Sequence, residues 1–289
     1  MSKDYTYEEI FQRNIGVISS EDQEKIRNSV IAIAGVGGDG GLIAETLARM
    51  GFGHIRLADP ENFEVSNINR QNGSSFKTID RNKAQVISEI IKAINPFCVV
   101  ETFEKGVNEE NIEDFVKDAD IVIDESEYTT HKIATLIARS ARKHKVPLIT
   151  GLNVGFGVLV MAFTERSISF EKYFGLSESK TIEEIADDEV LIHKWCPWLP
   201  SYVDIDVFSD IRDNKVSVPG VSPSVALVSA VVSSEVALFL LGKRELIEIP
   251  RYLWVDLYHR RIKIRRASKI MFYLSSLIML YKSKTKKRK

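Results

Sequence analysis

Val30-Ile31-Ala32-Ile33-Ala34-Gly35-Val36-Gly37-Gly38-Asp39-Gly40-Gly41 joins five apolar residues to five glycines within seven positions. Leu42-Ile43-Ala44-Glu45-Thr46-Leu47-Ala48-Arg49-Met50 follows. The first part reads as a buried strand and the last as a helix. Gly35, Gly37 and Gly40 fit the G-x-G-x-x-G spacing. Such a loop brings backbone N–H groups and a helix N-terminus to a phosphate with no Cβ in the way. A nucleotide is the expected ligand.

Outward from this loop, strands and helices alternate. Met50-Gly51 predicts a left-handed cap ending the helix. His54 to Asp59 reads as a second strand ending in an acid, and Pro60 to Ser75 as a long polar loop. Asp80 is expected to cap a helix running to Asn95-Pro96, and Ser20-x-x-Gln23 to open an earlier one as a capping box. Further strands are predicted at Cys98–Glu104, Ile121–Asp124 and Val146–Thr150, with helices around Glu109–Lys117 and Thr130–Lys143. The pattern implies an α/β fold with a doubly wound, mostly parallel, Rossmann-like sheet. Gly35, Asp59 and Asp124 all fall at strand carboxyl ends, where ligands sit in such sheets. After Gly151 the pattern changes. Gly157–Phe163 and two short segments near Arg251–Leu257 and Arg261–Ile264 predict antiparallel additions. Ser167–Lys215 reads as irregular, and Ser222–Leu241 as a long core or dimer helix.

The 289 residues carry a formal charge of −1, which gives no global pull toward nucleic acid. The last eight residues hold six positive charges, which leaves −7 elsewhere. Two cysteines, Cys98 and Cys196, suggest no disulfide framework and a reducing cytoplasm. The N-terminus lacks the apolar region of a signal peptide. Ile270–Tyr281 is 12 residues long and interrupted by two serines, too short for a membrane span of about 20. This stretch is expected to dock on the protein and end in a disordered basic tip; peripheral contact with an anionic membrane is the alternative.

Other residues share the nucleotide side. Asp59 lies 24 residues after Gly35, near the spacing of a ribose-binding acid. Asn67-Ile68-Asn69-Arg70-Gln71 follows, then Lys83 at the start of a helix and Glu127 three residues beyond Asp124. Together these resemble the ThiF/MoeB/HesA family, the adenylyltransferase superfamily of ubiquitin-activating enzymes. The resemblance covers residues 10–165 well and Ser222–Leu241 more loosely. It implies an ATP-dependent adenylyltransferase in which a carboxylate attacks the α-phosphorus and pyrophosphate leaves. Gly35, Gly37, Gly38, Gly40, Asp59 and Asn67 would bind the nucleotide. Arg70 and Lys83 would stabilise charge on the phosphoryl oxygens, Arg13 would act across a homodimer interface, and Asp124 and Glu127 would hold magnesium. The zinc-binding Cys-x-x-Cys pairs of many bacterial members are missing, so no zinc is expected. The implied substrate is the C-terminus of a ubiquitin-like protein or ribosomal peptide, or a small or tRNA-linked acid. No specific nucleic-acid binding is otherwise expected. The resemblance divides the chain into an arm (1–28), an adenylation domain (29–265) with a substrate segment (167–215), and a tail (266–289). Cys196, between Trp195 and Pro197-Trp198, is a candidate nucleophile for a thioester, set against burial in an aromatic cluster. Two other readings stand beside this one. The glycine loop with Asp59 also suits a NAD-dependent oxidoreductase, although that leaves Asn67, Arg70 and Lys83 unexplained. Glutamate at position 127, where the family usually has aspartate, admits a non-catalytic, peptide-binding module.

Overall fold

A computed structural model describes residues 5–126, 131–186, 188, 190–203 and 218–286. Among these, eight strands form one sheet: β1 (Val30–Ala34), β2 (His54–Ala58), β3 (Val99–Phe103), β4 (Ile121–Asp124), β5 (Leu148–Val154), β6 (Gly157–Phe163), β7 (Arg251–Asp256) and β8 (Arg261–Arg266). Their order is β3-β2-β1-β4-β5-β6-β7-β8. The pairs from β3 to β5 are parallel, and those from β5 to β8 are antiparallel. The expected doubly wound sheet with antiparallel additions is therefore present.

The helices are α1 (Tyr7–Phe11), α2 (Ser20–Asn28), α3 (Asp39–Met50), α4 (Lys83–Ile94), α5 (Ile112–Val116), α6 (His131–Lys143), α7 (Phe170–Phe174), α8 (Ile182–Ala186) and α9 (Ile192–Trp195). A long helix, Ser222–Leu240, and a terminal helix, Lys269–Lys286, follow. The central strands read as continuous apolar runs because both of their faces are covered. Alternate residues supply the two cores. Ile31, Ile33, Ile121 and Ile123 pack beneath α3, α4 and Ser222–Leu240. Ala32, Ala34, Val122 and Leu148 face the α5–α8 side. Ser222–Leu240 is long and apolar enough to cross a membrane by length and composition. Here it packs on α3, β5 and β6, and Val228, Val232 and Val236 are fully buried.

Several local expectations shift. Ser19, not Ser20, caps α2, in a reciprocal box with Asp22. Asn82, not Asp80, caps α4 through its side chain, which accepts from the Gln85 N–H. Asp80 instead occupies a left-handed turn at φ 66°. Both are one- or two-residue slips among adjacent capping-competent residues. The segment expected to be irregular contains α7, α8 and α9. They carry an aromatic cluster in which the Phe174 and Trp195 rings lie 4.1 Å apart.

The N-terminal arm is latched to the C-terminal end of α3. Tyr7 donates to the Gly51 carbonyl (2.7 Å), and Asn14 and Gln23 donate to the Met50 carbonyl (3.0 and 2.9 Å). These bonds satisfy carbonyls that a helix end leaves without intrahelical partners. Gly51 takes the expected left-handed cap at φ 98°.

Candidate functional site

A cavity of about 1150 Å³ opens above the carboxyl ends of the parallel strands. Chain order reverses there between β1 and β4, the usual position for a ligand in an open α/β sheet. The glycine loop forms its floor, with glycines in two different roles. At Gly35 (φ 78°) a Cβ would stand 2.4 Å from the Glu125 carbonyl oxygen, and at Gly40 it would stand 1.9 Å from the Gly35 carbonyl oxygen. These two let the end of β1 meet β4 and the start of α3. Gly37 and Gly38 meet no such obstacle; their nearest neighbours would be the Gln71 amide at 3.3 Å and Val225 at 3.5 Å. They line the cavity, and no side chain caps the N-terminus of α3 at Gly38. The first N–H groups of α3 thus form the kind of cradle that accepts a phosphate.

The wall opposite is built from the loop after β2. Asp59 is buried and receives two backbone donors, Val36 N–H at 2.8 Å and Glu61 N–H at 2.9 Å. Burial raises its pKa, against the pull of the Glu61 and Val36 N–H groups and of Lys83. Asn67 pins its own turn by accepting from the Glu64 N–H (3.0 Å). Arg70 donates to the Ser66 carbonyl (3.2 Å) and to Asn69 Oδ1 (2.9 Å). It lies across Gly220, where a Cβ would come within 2.9 Å of Arg70 Cδ. Lys83 is 4% exposed, and its ammonium donates to Glu61 Oε2 (2.5 Å). Two cations, an uncapped helix start and a buried acid therefore face one cavity. Such a set of groups is complementary to an anionic ligand.

The other half of the cavity is apolar, with Leu152, Val154, Phe156, Trp195, Val203 and Val221 on its walls. It rests on the β5–β6 hairpin.

The sequence profile of the ThiF family matches residues 11–270. The chain belongs to the ThiF family. Relatives include a tRNA threonylcarbamoyladenosine dehydratase of Bacillus subtilis, 36% identical over 49% of this chain and 56% of that protein. A sulfur carrier protein ThiS adenylyltransferase of Escherichia coli is 34% identical over 51% of this chain and 58% of that protein. The chain thus spans little more than half the length of these relatives. Among solved structures, PaaA superposes with a TM-score of 0.66 at 22% identity, covering 92% of this chain and 76% of that one. Escherichia coli MccB solved with ATP superposes at 0.64 and 17% identity, covering 86% and 66%. The likeness to these structures is one of fold.

Within this ThiF-family fold the expected site residues separate into groups. Gly35, Gly37, Gly38, Asp59, Asn67, Arg70 and Lys83 line the cavity, with Gly40 directly beneath. Asp124 does not. Its carboxylate accepts from the Ser126 N–H (3.1 Å) and hydroxyl (2.6 Å), and burial pushes its pKa up to about 6. Glu125 and Ser126 take the cavity wall instead. Side chains alternate along an extended strand end, so a carboxylate one residue on faces the ligand. Glu127 lies outside the described residues. Arg13 is exposed and sits beside Asn14, at the far end of α3 from the glycine loop. Twelve helical residues separate the two ends, about 18 Å at 1.5 Å each. Cys196 is on the cavity wall, but its thiol donates to the Trp198 carbonyl (3.2 Å) and burial pushes its pKa up to about 12. A thiol held protonated in this way is a poor nucleophile at neutral pH.

Four cavity acids went unremarked in the sequence, Glu61, Glu64, Asp39 and Glu125, and burial raises the pKa of the last two. Asp39 Oδ2 accepts from the Asn153 amide (2.6 Å), while Oδ1 is buried with no hydrogen-bond partner. Burial pushes its pKa up to about 7, outweighing Asn153 and the charge of Arg70. Glu125 Oε1 accepts from the Gly151 N–H (2.8 Å); burial, and then the charge of Asp39, raise its pKa well above the usual carboxylate range. An acid inside a phosphate-type glycine loop is an electrostatic anomaly, and that was the available signal for Asp39. A strand-end glutamate such as Glu125 gives no such signal.

The raised pKa of Asp39 carries a stability consequence. The folded state holds this proton up to about pH 7, and the unfolded chain releases it near 3.8. Stability therefore falls as pH rises between those values. Asp39→Asn removes the penalty. We expect a gain of about 2 kcal/mol at pH 8, discounted for water in the open cavity. That corresponds to a Tm rise of about 3 °C for a chain of 289 residues, fading toward pH 4. Calorimetry at the two pH values checks it, and a gain of equal size at both would contradict this account.

Proposed function

We propose that this chain uses ATP to activate a carboxylate as an acyl-adenylate, with release of pyrophosphate. The observation that carries this reading is the meeting of Arg70 and Lys83 with the uncapped start of α3 across one cavity whose remaining half is apolar. The phosphates would lie on Gly37 and Gly38, and the ribose hydroxyls would donate to Asp59. The substrate carboxylate, with its acyl chain against Leu152, Val154 and Phe156, would attack the α-phosphorus. One oxygen–phosphorus bond forms as the bond to the β-phosphate oxygen breaks. Arg70 and Lys83 offset the charge gathering on the phosphoryl oxygens and on the leaving group.

Magnesium fits this arrangement through oxygen donors. It commonly uses one or two carboxylates together with phosphates. Asp39, with its unpaired buried oxygen, and Glu125 stand where they would hold it. When bound it would neutralise phosphate charge. Among the described residues no group of three or more His, Cys, Asp or Glu side chains surrounds a common point. Because Arg13 lies at the opposite end of α3 from the loop, it would reach a cavity only from a second copy, so the proposal includes a homodimer.

The relatives' names range over a tRNA-modifying dehydratase and a sulfur-carrier adenylyltransferase, and MccB has been solved with N-formylated MccA. The acyl donor here is accordingly proposed as the carboxyl terminus of a peptide or ubiquitin-like protein, or a small or tRNA-linked acid. Exchange of labelled pyrophosphate into ATP tests this directly. Exchange should appear when the matching carboxylate is added and be absent without it. Tight ATP binding with no exchange across peptide, Gly-Gly protein, small-acid and tRNA-linked panels would overturn the reading in favour of a binding module.

A further inference from the structure

The terminal helix Lys269–Lys286 turns its apolar stripe away from the protein. Phe272 points inward, 7% exposed, and packs with Cys196 and Leu199 beside His193. On the outer side Ile270, Leu274, Leu277 and Ile278 are 71, 48, 61 and 52% exposed. Their i, i+4, i+7, i+8 spacing puts them on one face of the helix. Tyr273 is 54% exposed beside them. The docking expected of this stretch is thus confined to its inner face, and residues 287–289 lie outside the described residues.

Charge identifies what this face meets. From His259 to Lys289 the sequence has twelve lysines and arginines and no acid, and six of the twelve fall in the last eight positions. A second copy packed on the same stripe would set this positive stretch against itself, with no acidic residue after Asp256 to relieve it. An anionic bilayer accepts both features, the aliphatic stripe in its acyl boundary and the lysines at its headgroups. Length decides the geometry. Ile270–Tyr281 covers 12 residues, or about 18 Å of helix, against a hydrocarbon core of about 30 Å. A helix with an apolar stretch of that length would lie along the interface and not span it.

We infer that the terminal helix is a peripheral membrane anchor for anionic lipid, holding the protein with Leu274, Leu277 and Ile278 inserted and the basic end on the headgroups. Its inner residue Phe272 belongs to one buried cluster with Leu199 and with Cys196 of the cavity wall, so the anchored helix adjoins the apolar end of the cavity.

Flotation of the full chain with vesicles tests this independently of any adenylation. At 0.1 M NaCl, vesicles of phosphatidylcholine with 30% phosphatidylglycerol should recover at least tenfold more protein than phosphatidylcholine alone. Recovery should fall severalfold at 0.5 M NaCl. Leu274→Glu with Leu277→Glu should bring recovery to background with an unchanged Tm, because both side chains are exposed. If that pair impairs folding, Lys284→Glu with Lys286→Glu should cause the same loss. Equal recovery by the two vesicle types, or undiminished recovery of the folded variants, would overturn the proposal. So would absent vesicle binding together with a stripe variant that shifts the sedimentation mass from dimer to monomer, which would assign the face to self-association.

Discussion

Arg70→Ala is expected to lower carboxylate-dependent pyrophosphate–ATP exchange by about 10²–10³-fold, the range seen when one donor to a developing oxyanion is removed. The fold should survive. Among the described residues the guanidinium makes two exposed hydrogen bonds, to the Ser66 carbonyl and Asn69 Oδ1, together contributing at most about 1–2 kcal/mol. ATP affinity should change far less than the exchange rate, because the charge that Arg70 meets grows on the way to the transition state. Arg70→Lys should recover only part of the loss. A lysine supplies the charge without the planar fork that spans two oxygens. Equal losses in ATP binding and exchange would reassign Arg70 to ground-state binding.

Gly40→Ala should destabilise the protein by about 4 kcal/mol or more, enough to remove soluble product. The added methyl would sit 1.9 Å from the Gly35 carbonyl oxygen and 3.0 Å from its carbon. Both are backbone atoms, so nothing can rotate away, and relief requires α3 to lift off the end of β1. Gly37→Ala is the matched control. Its methyl would meet the Gln71 side-chain amide at 3.3 Å, which can shift. Its Tm should change by only a few degrees while nucleotide affinity drops, because the methyl intrudes on the phosphate cradle. Chemical denaturation of the two variants, with ATP titration of the second, separates glycines that build the loop from glycines that serve its ligand.

These two substitutions mark what could be read from the residues alone. The strand–glycine–helix run dictated the parallel sheet, because buried apolar runs and φ-permissive residues are local signals. Arg70 and Lys83, which alone read as ordinary surface charges, could be placed only through the resemblance, because Asn-x-x-Arg-Gln and the helix-opening lysine follow Asp59 in the family's order. Asp124 could not. Whether a strand-end acid faces the cavity depends on a single residue of register, and Ser126 captured the carboxylate that the sequence assigned to the ligand. Asp39 carried one local signal, an acid inside a glycine loop, but its hydrogen-bond partner Asn153 is 114 residues away and could not be read from the sequence. Helix caps slipped by a residue or two, because Ser19 and Ser20, or Asp80 and Asn82, are equally competent until the fold chooses.

One sheet runs beneath both halves of the cavity, and its direction reverses between β5 and β6. Seven residue pairs tie those two strands together, while β5 also pairs with β4. The phosphate floor after β1 and the apolar wall on β5 are joined through the β1–β4 and β4–β5 pairs, so a hinge opened between them would break backbone pairing. In the proposed reaction the distance from an acyl chain on Leu152 and Val154 to its target phosphorus would therefore be set by the scaffold. Any closing over a bound nucleotide falls to the loops above the strand ends, and any change of acyl chain accepted must be made in the lining of a rigid seat.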